Sequence, residues 1–157
     1  MTASELEVSN PYLPLLLPIV EIIEETRDIK TFRLQGDSIF SYLPGQFAEV
    51  FVPGRGEAPF SITSSPTSGQ ILEFSIKRIG TVTTALHRLG EGEKIGVRGP
   101  YGNGFPLEEL KNHNLLFVGG GIGLAPLRSL INYVLSPQHR EEFGEVFILY
   151  GARSPED

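Results

Sequence analysis

The stretch Phe117-Val-Gly-Gly-Gly-Ile-Gly-Leu-Ala-Pro126 sets Gly119, Gly120, Gly121 and Gly123 between an apolar run and a proline suited to a first helical turn. Without Cβ atoms, backbone amides can close on a diphosphate there, and the peptide dipoles of the helix opened by Ala125 and Pro126 favour the anion. The spacing is not G-x-G-x-x-G, because Leu124 and Pro126 stand where its last glycine would fall. A tight strand-to-helix connection would use the same residues, so the turn alone leaves two readings open.

Three further segments carry chemistry-bearing residues. In Ala58-Pro-Phe-Ser-Ile-Thr-Ser-Ser-Pro66, Phe60 can stack on a planar ring while Ser61 and the threonine offer hydrogen bonds; a strand end with a Ser-Pro turn explains it equally well. In Lys77-Arg-Ile-Gly-Thr-Val-Thr-Thr84, a strand delivers two cations and Gly80 then opens a short helix over Thr83–Leu89. Its first amides and threonine hydroxyls suit a phosphate, and Thr83 suits an ordinary N-cap as well. Arg98-Gly-Pro-Tyr-Gly-Asn-Gly-Phe105 is turn-rich around one tyrosine and also reads as an interdomain connector.

The elements that must position these segments are short. From Ile19 to Arg98 the apolar spacing is two: Phe32 and Leu34; Ala48, Val50 and Val52; Leu72, Phe74 and Ile76; Ile95 and Val97. Such alternation, broken by glycine and proline turns, predicts an antiparallel barrel or sandwich with one covered face per strand. After Asn114 the apolar runs LLFV and VFILY become continuous, which predicts parallel strands covered on both faces. Between them Leu124, Leu127, Ile131, Val134 and Leu135 follow helical spacing, with Arg128, Ser129 and Asn132 on another side. The result is one βαβ unit and a boundary near residues 105–113.

Composition narrows the function classes. With 157 residues, 40% hydrophobic and 20% charged, a folded globular chain is expected. A formal net charge of -6 argues against nucleic acid. No cysteine is present, so thiolate chemistry and cysteine-ligated clusters are excluded from this stretch and redox work needs a bound cofactor. Prolines interrupt the apolar patch near the start and no basic residue precedes it, so neither a membrane span nor a signal peptide is expected; the expected location is the cytoplasm. His87, His113 and His139 are too scattered to predict a metal site.

The four segments, in this order, resemble the ferredoxin-NADP reductase-like flavoprotein family from about Ile19 to Asp157. The resemblance implies a mainly β chain with an α/β part: an N-terminal extension over residues 1–18, a six-stranded antiparallel FAD-binding β-barrel over 19–106, and the first βαβ unit of an NAD(P)-binding domain over 114–157. It implies FAD contacts from Pro59, Phe60 and Ser61, with Ser61 near flavin N5, and from Ile76, Lys77, Gly80, Val82 and Thr83 around the diphosphate. Gly119, Gly120, Gly121, Gly123, Ala125 and Pro126 would take NAD(P)H, and no side chain need act as general acid or base. The family's arginine is Ala58 here, leaving Arg55 or Lys77 to compensate or flavin binding weaker. The variant EAPFS and NPYLP at 10–14 are most similar to gamma subunits of NAD(P)-linked hydrogenases and sulfhydrogenases, with dihydroorotate dehydrogenase and anaerobic sulfite reductase electron-transfer subunits sharing much of the pattern. Electron transfer between NAD(P)H and an iron-sulfur or hydrogenase-type partner is implied, with any [2Fe-2S] cysteines in a missing C-terminal part, because relatives continue beyond the second strand. The alternative is a noncatalytic flavin- or partner-binding fragment, and a lone βαβ unit is expected to show half-covered faces.

Overall fold

The computed structural model describes residues 10, 12–37 and 39–154; the first nine residues of the expected extension, and Pro155 to Asp157 of the expected second unit, lie outside them. Six strands, β1 (Leu15–Glu24), β2 (Ile29–Gln35), β3 (Phe47–Val52), β4 (Gly56–Ser61), β5 (Ile71–Lys77) and β6 (Lys94–Tyr101), form one antiparallel sheet in the order β4-β3-β6-β1-β2-β5. Helix α1 (Thr81–Leu86) links β5 to β6. The sheet curls until its two edge strands meet, where Thr63 N donates to Glu73 O at 2.9 Å. Every apolar set expected from alternation points inward, so Phe32, Leu34, Val50, Leu72, Phe74, Ile76, Ile95 and Val97 are all buried in one core that Leu86 of α1 plugs.

Three local expectations change. The first strand begins at Leu15, inside the stretch expected to be an extension, and Leu15–Pro18 pair with Val97–Lys94 of β6. Pro18 sits where β1 passes from β6 to β2, whose pairing starts at Ile19 with an irregularity before Glu21, so a residue without an amide proton is tolerated. The short helix covers Thr81–Leu86 rather than Thr83–Leu89, with Gly80 at its N-cap. Thr83 therefore lies at the third helical position, where its Oγ1 accepts from Ile79 N and Gly80 N at 3.0 and 2.8 Å. Arg98 to Phe105 is partly strand rather than connector alone, since Tyr101 pairs with Phe47 at the end of β6.

After α2 (Leu107–Leu110) come β7 (Leu115–Gly120), a 3-10 turn over Gly121–Leu124, α3 (Ala125–Leu135) and β8 (Val146–Gly151), with β7 and β8 parallel and in register. Leu130, Ile131 and Val134 of α3 close on Leu115, Phe117 and Phe143. The other face is bare: Leu116, Val118, Phe147 and Leu149 are 65%, 61%, 53% and 61% exposed. Double coverage expected from the continuous apolar runs is thus not found: α3 covers one side of β7, while on that same side of β8 Ile148 and Tyr150 are still 49% and 43% exposed, in keeping with the half-covered faces expected of a lone βαβ unit.

Truncating Phe74, which is 1% exposed, to alanine is expected to cost about 3–5 kcal/mol of stability in a denaturant titration. His87 stacks edge-on to Phe32 and donates from Nε2 to Ile76 O at 2.8 Å; burial lowers its pKa below 6.5 although the carbonyl opposes the shift, with Lys30 and Arg78 adding to it. The unfolded chain then binds this proton more readily than the folded one. Stability is expected to fall as pH drops through about 6.5 and to stop falling from this cause below the lowered folded value. His87→Gln should flatten that slope in urea midpoints; an identical slope would contradict the assignment.

Candidate functional site

The end of β4 presents the aromatic segment. Pro59 is exposed on an edge strand that needs no donor there, while Phe60 is half-buried against the barrel core and Ser61 pairs with Phe47. Two residues further on, Thr63 is buried and its Oγ1 has no hydrogen-bond partner among the described residues. Buried hydroxyls are normally satisfied, so this one is an exception, and at 0% exposure it is enclosed by the protein itself.

Across the closing gap, β5 supplies Ile76 and Lys77. The Ile76 carbonyl is engaged by His87, and the Lys77 ammonium lies 3.2 Å from Asp28, whose carboxyl is held below its ordinary value first by that hydrogen bond. Lys77 is thus an already paired cation. Arg55, in the β3–β4 hairpin, is exposed and faces a cavity of about 680 Å³ shared with Gly80, Thr81, Thr84 and Arg88. Val82 comes beside this hairpin, since a Cβ on Gly56 would meet its Cγ2 at 3.7 Å. The segment expected to hold the diphosphate and the hairpin therefore meet, and Ala58 lies three residues beyond Arg55 on β4.

The glycine turn forms as expected from the sequence. Gly119 and Gly120 end β7, Gly121 adopts φ 51°, and Pro126 falls in the first turn of α3. Atoms added at Gly121 or Gly123 would meet nothing within 4 Å, so both backbones face open space. A cavity of about 400 Å³ separates Gly121, Ile122 and Ala125 from Glu25, Thr26, Ile29 and Ser75 of the barrel, with Arg128 and Tyr150 at its sides. Gly121 and Ala125 are thus gathered in one cavity and Gly80 in another, while Pro59, Phe60, Ser61, Ile76 and Lys77 line neither.

A junction that the sequence did not reveal lies beside this cavity. Glu73, whose side chain is 7% exposed, accepts from Arg33 Nε at 2.5 Å and from Arg128 Nη2 at 3.1 Å. Ser129 Oγ donates to Ser64 O at 2.6 Å with both residues buried. Glu73 sits at an outward position of an alternating strand and Arg128 on the polar side of a helix; each reads as solvated because its partner is remote in sequence. Among the described residues, no group of three His, Asp or Glu side chains gathers as metal ligands, and no helix is long and apolar enough to cross a membrane.

The residues present fit a flavin dinucleotide: a half-buried aromatic, a serine, an exposed cation beside a glycine-led helix, and a second open glycine turn. The family model described as the oxidoreductase FAD-binding domain matches residues 16–105. Sulfhydrogenase 2 subunit gamma of Pyrococcus furiosus is 40% identical over 153 residues, which are 94% of this chain and 52% of that one. A probable dihydroorotate dehydrogenase B (NAD(+)), electron transfer subunit, of Methanocaldococcus jannaschii is 39% identical over 148 residues, 92% of this chain and 50% of that one. The fold is similar to that of a ferredoxin NADP+ reductase from Neisseria gonorrhoeae solved with bound FAD and NADP, at TM-score 0.76 and 22% identity, covering 90% of this chain and 58% of that one. The chain spans about half the length of the curated relatives it matches. With a six-stranded antiparallel sheet built by the matched residues, the chain belongs to the oxidoreductase FAD-binding domain family.

Proposed function

We propose that this chain is the flavin-holding part of a reductase subunit that moves electrons between NAD(P)H and an iron-sulfur or hydrogenase-type redox partner in the cytoplasm. The observation that carries the reading is the open glycine turn facing the same barrel whose strand ends fit a flavin, inside a chain that matches the FAD-binding family. Bound FAD would supply hydride exchange with the nicotinamide and single-electron release. The protein's part is placement. Phe60 would cover one face of the ring and Ser61 would offer its hydroxyl near N5.

Val82, Thr83 and Gly80 receive the diphosphate, with the neighbouring strand end at Ile76 and Lys77 lining the approach. The cation that Ala58 cannot provide comes from Arg55, because Asp28 already holds Lys77. Gly119 to Gly123, Ala125 and Pro126 receive the dinucleotide's phosphates. No cysteine is present in the sequence, so a [2Fe-2S] cluster would be held by other sequence or by the partner. The bare face formed by Leu116, Val118, Phe147 and Leu149 favours a second reading, a flavin- or partner-binding module without a productive NAD(P)H site.

The two readings separate in an anaerobic visible spectrum of the FAD-loaded chain. Flavin bands that bleach on adding NADH or NADPH support the reductase reading; bands that persist support the module, and failure to take up FAD defeats both. Arg55→Met is expected to weaken FAD binding about tenfold and Lys77→Met less than about threefold, as charge-assisted hydrogen bonds imply. Equal losses, measured by fluorescence titration, would contradict the choice of Arg55. Ser61→Ala is expected to shift the flavin potential and slow its reduction about tenfold; no change in either would remove Ser61 from its place near N5.

A further inference from the structure

Helix α3 leaves the glycine turn and lands on the barrel through two adjacent side chains. The Arg128 guanidinium spans three barrel elements: Nη2 lies 3.1 Å from Glu73 Oε2 on β5, while Nη1 lies 3.6 Å from Glu25 and 3.5 and 3.4 Å from the hydroxyls of Thr31 on β2 and Ser75 on β5. Ser129, wholly buried, donates to the Ser64 carbonyl at 2.6 Å. The anchors themselves are fixed. Ser64 Oγ accepts from Glu73 N at 3.1 Å and shares a hydrogen with Tyr42 at 2.8 Å, and Arg33 holds the second oxygen of Glu73.

The anchors border the flavin platform in sequence and the helix start in space. Ser64 follows Ser61 directly after Ile62 and Thr63, and Ser75 precedes Ile76 and Lys77 on the same strand. Arg128 and Ser129 come within the first turn and a half of α3, so at a rise of about 1.5 Å per residue they lie roughly 6 Å along the axis from Ala125. A lever that short transmits little play.

We propose that Arg128 and Ser129 are positioning residues that set the glycine turn against the Phe60–Ser61 strand end, and so align a bound nicotinamide with a bound flavin. This rests on the reductase reading given above. Neither side chain need touch the reacting atoms. Their effect is through α3, and misalignment by about an ångström is enough to slow a transfer about a hundredfold. A clamp that only added stability would change unfolding without changing the limiting rate of flavin reduction.

The test uses the full chain loaded with FAD, comparing parent, Arg128→Met, Arg128→Lys and Ser129→Ala. Arg128→Met is expected to lower the limiting rate of flavin reduction by NADH or NADPH at least about tenfold, with FAD content unchanged and the half-saturating nucleotide concentration within about threefold. Arg128→Lys should restore part of the rate, since a point charge replaces only part of the guanidinium fork. Because the sequence has no cysteine, spin labels at Gln35→Cys at the end of β2 and at Asn132→Cys, exposed on α3, report barrel-to-helix distance cleanly, and Arg128→Met should broaden the distribution. Should Arg128→Met fail to fold, Ser129→Ala, which removes one hydroxyl, is read by the same two measurements.

An unchanged limiting rate with an unchanged distance distribution overturns the proposal. A raised half-saturation at constant limiting rate also overturns it, by making the pair a binding aid. If the parent holds FAD but NAD(P)H does not reduce it, the reductase reading fails instead, and broadened label distances in the variants would still uphold the docking.

Discussion

The buried carboxylate of Glu73 is the constraint on which the arrangement of this molecule depends. A charge taken out of water is costly unless paired, and Glu73 is 5% exposed on a strand whose neighbours are core residues. Arg33 of β2 satisfies one oxygen from within the barrel, and Arg128 of α3 satisfies the other from outside it. Removing either partner would leave a charge buried and under-compensated, which is more damaging than the net worth of the pair suggests. The barrel is therefore built to want α3 in one place.

That placement links the two glycine-bearing segments. Glu73 stands on β5, which ends at Lys77 and leads into Gly80 and α1, so the strand that anchors α3 also delivers the segment proposed to hold the diphosphate. Its backbone closes the barrel against Thr63, just past Phe60 and Ser61. One short length of β5 thus touches barrel closure, the aromatic strand end and the start of the βαβ unit. Chemistry between two bound cofactors needs such shared mounting, because neither cofactor supplies its own alignment.

Much of this was legible in the sequence, for local reasons. Leu72, Phe74 and Ile76 alternate because one strand face is buried, and Gly121 with Pro126 marks a turn into a helix whatever surrounds it. What was hidden depends on contacts between distant residues. Pro18 reads as a breaker until the strand is seen to change partners at that point, and Lys77 reads as an available cation until Asp28 is brought to it. Thr83 reads as a cap and instead reaches back from inside the helix to two amides. The apolar run of β8 promises a covered strand, yet coverage belongs to whatever packs on it, and beyond Val146 both faces of β8 are exposed. Glu73 and Arg128 carry no local signature at all.

The most direct test of the account is a crystal structure of the chain grown with FAD. The ring is expected against Phe60 with N5 near Ser61, the diphosphate between Arg55 and the Gly80–Thr83 segment, and Arg128 still engaged with Glu73. A flavin bound elsewhere, or a filled flavin site with α3 detached from an intact barrel, would contradict it.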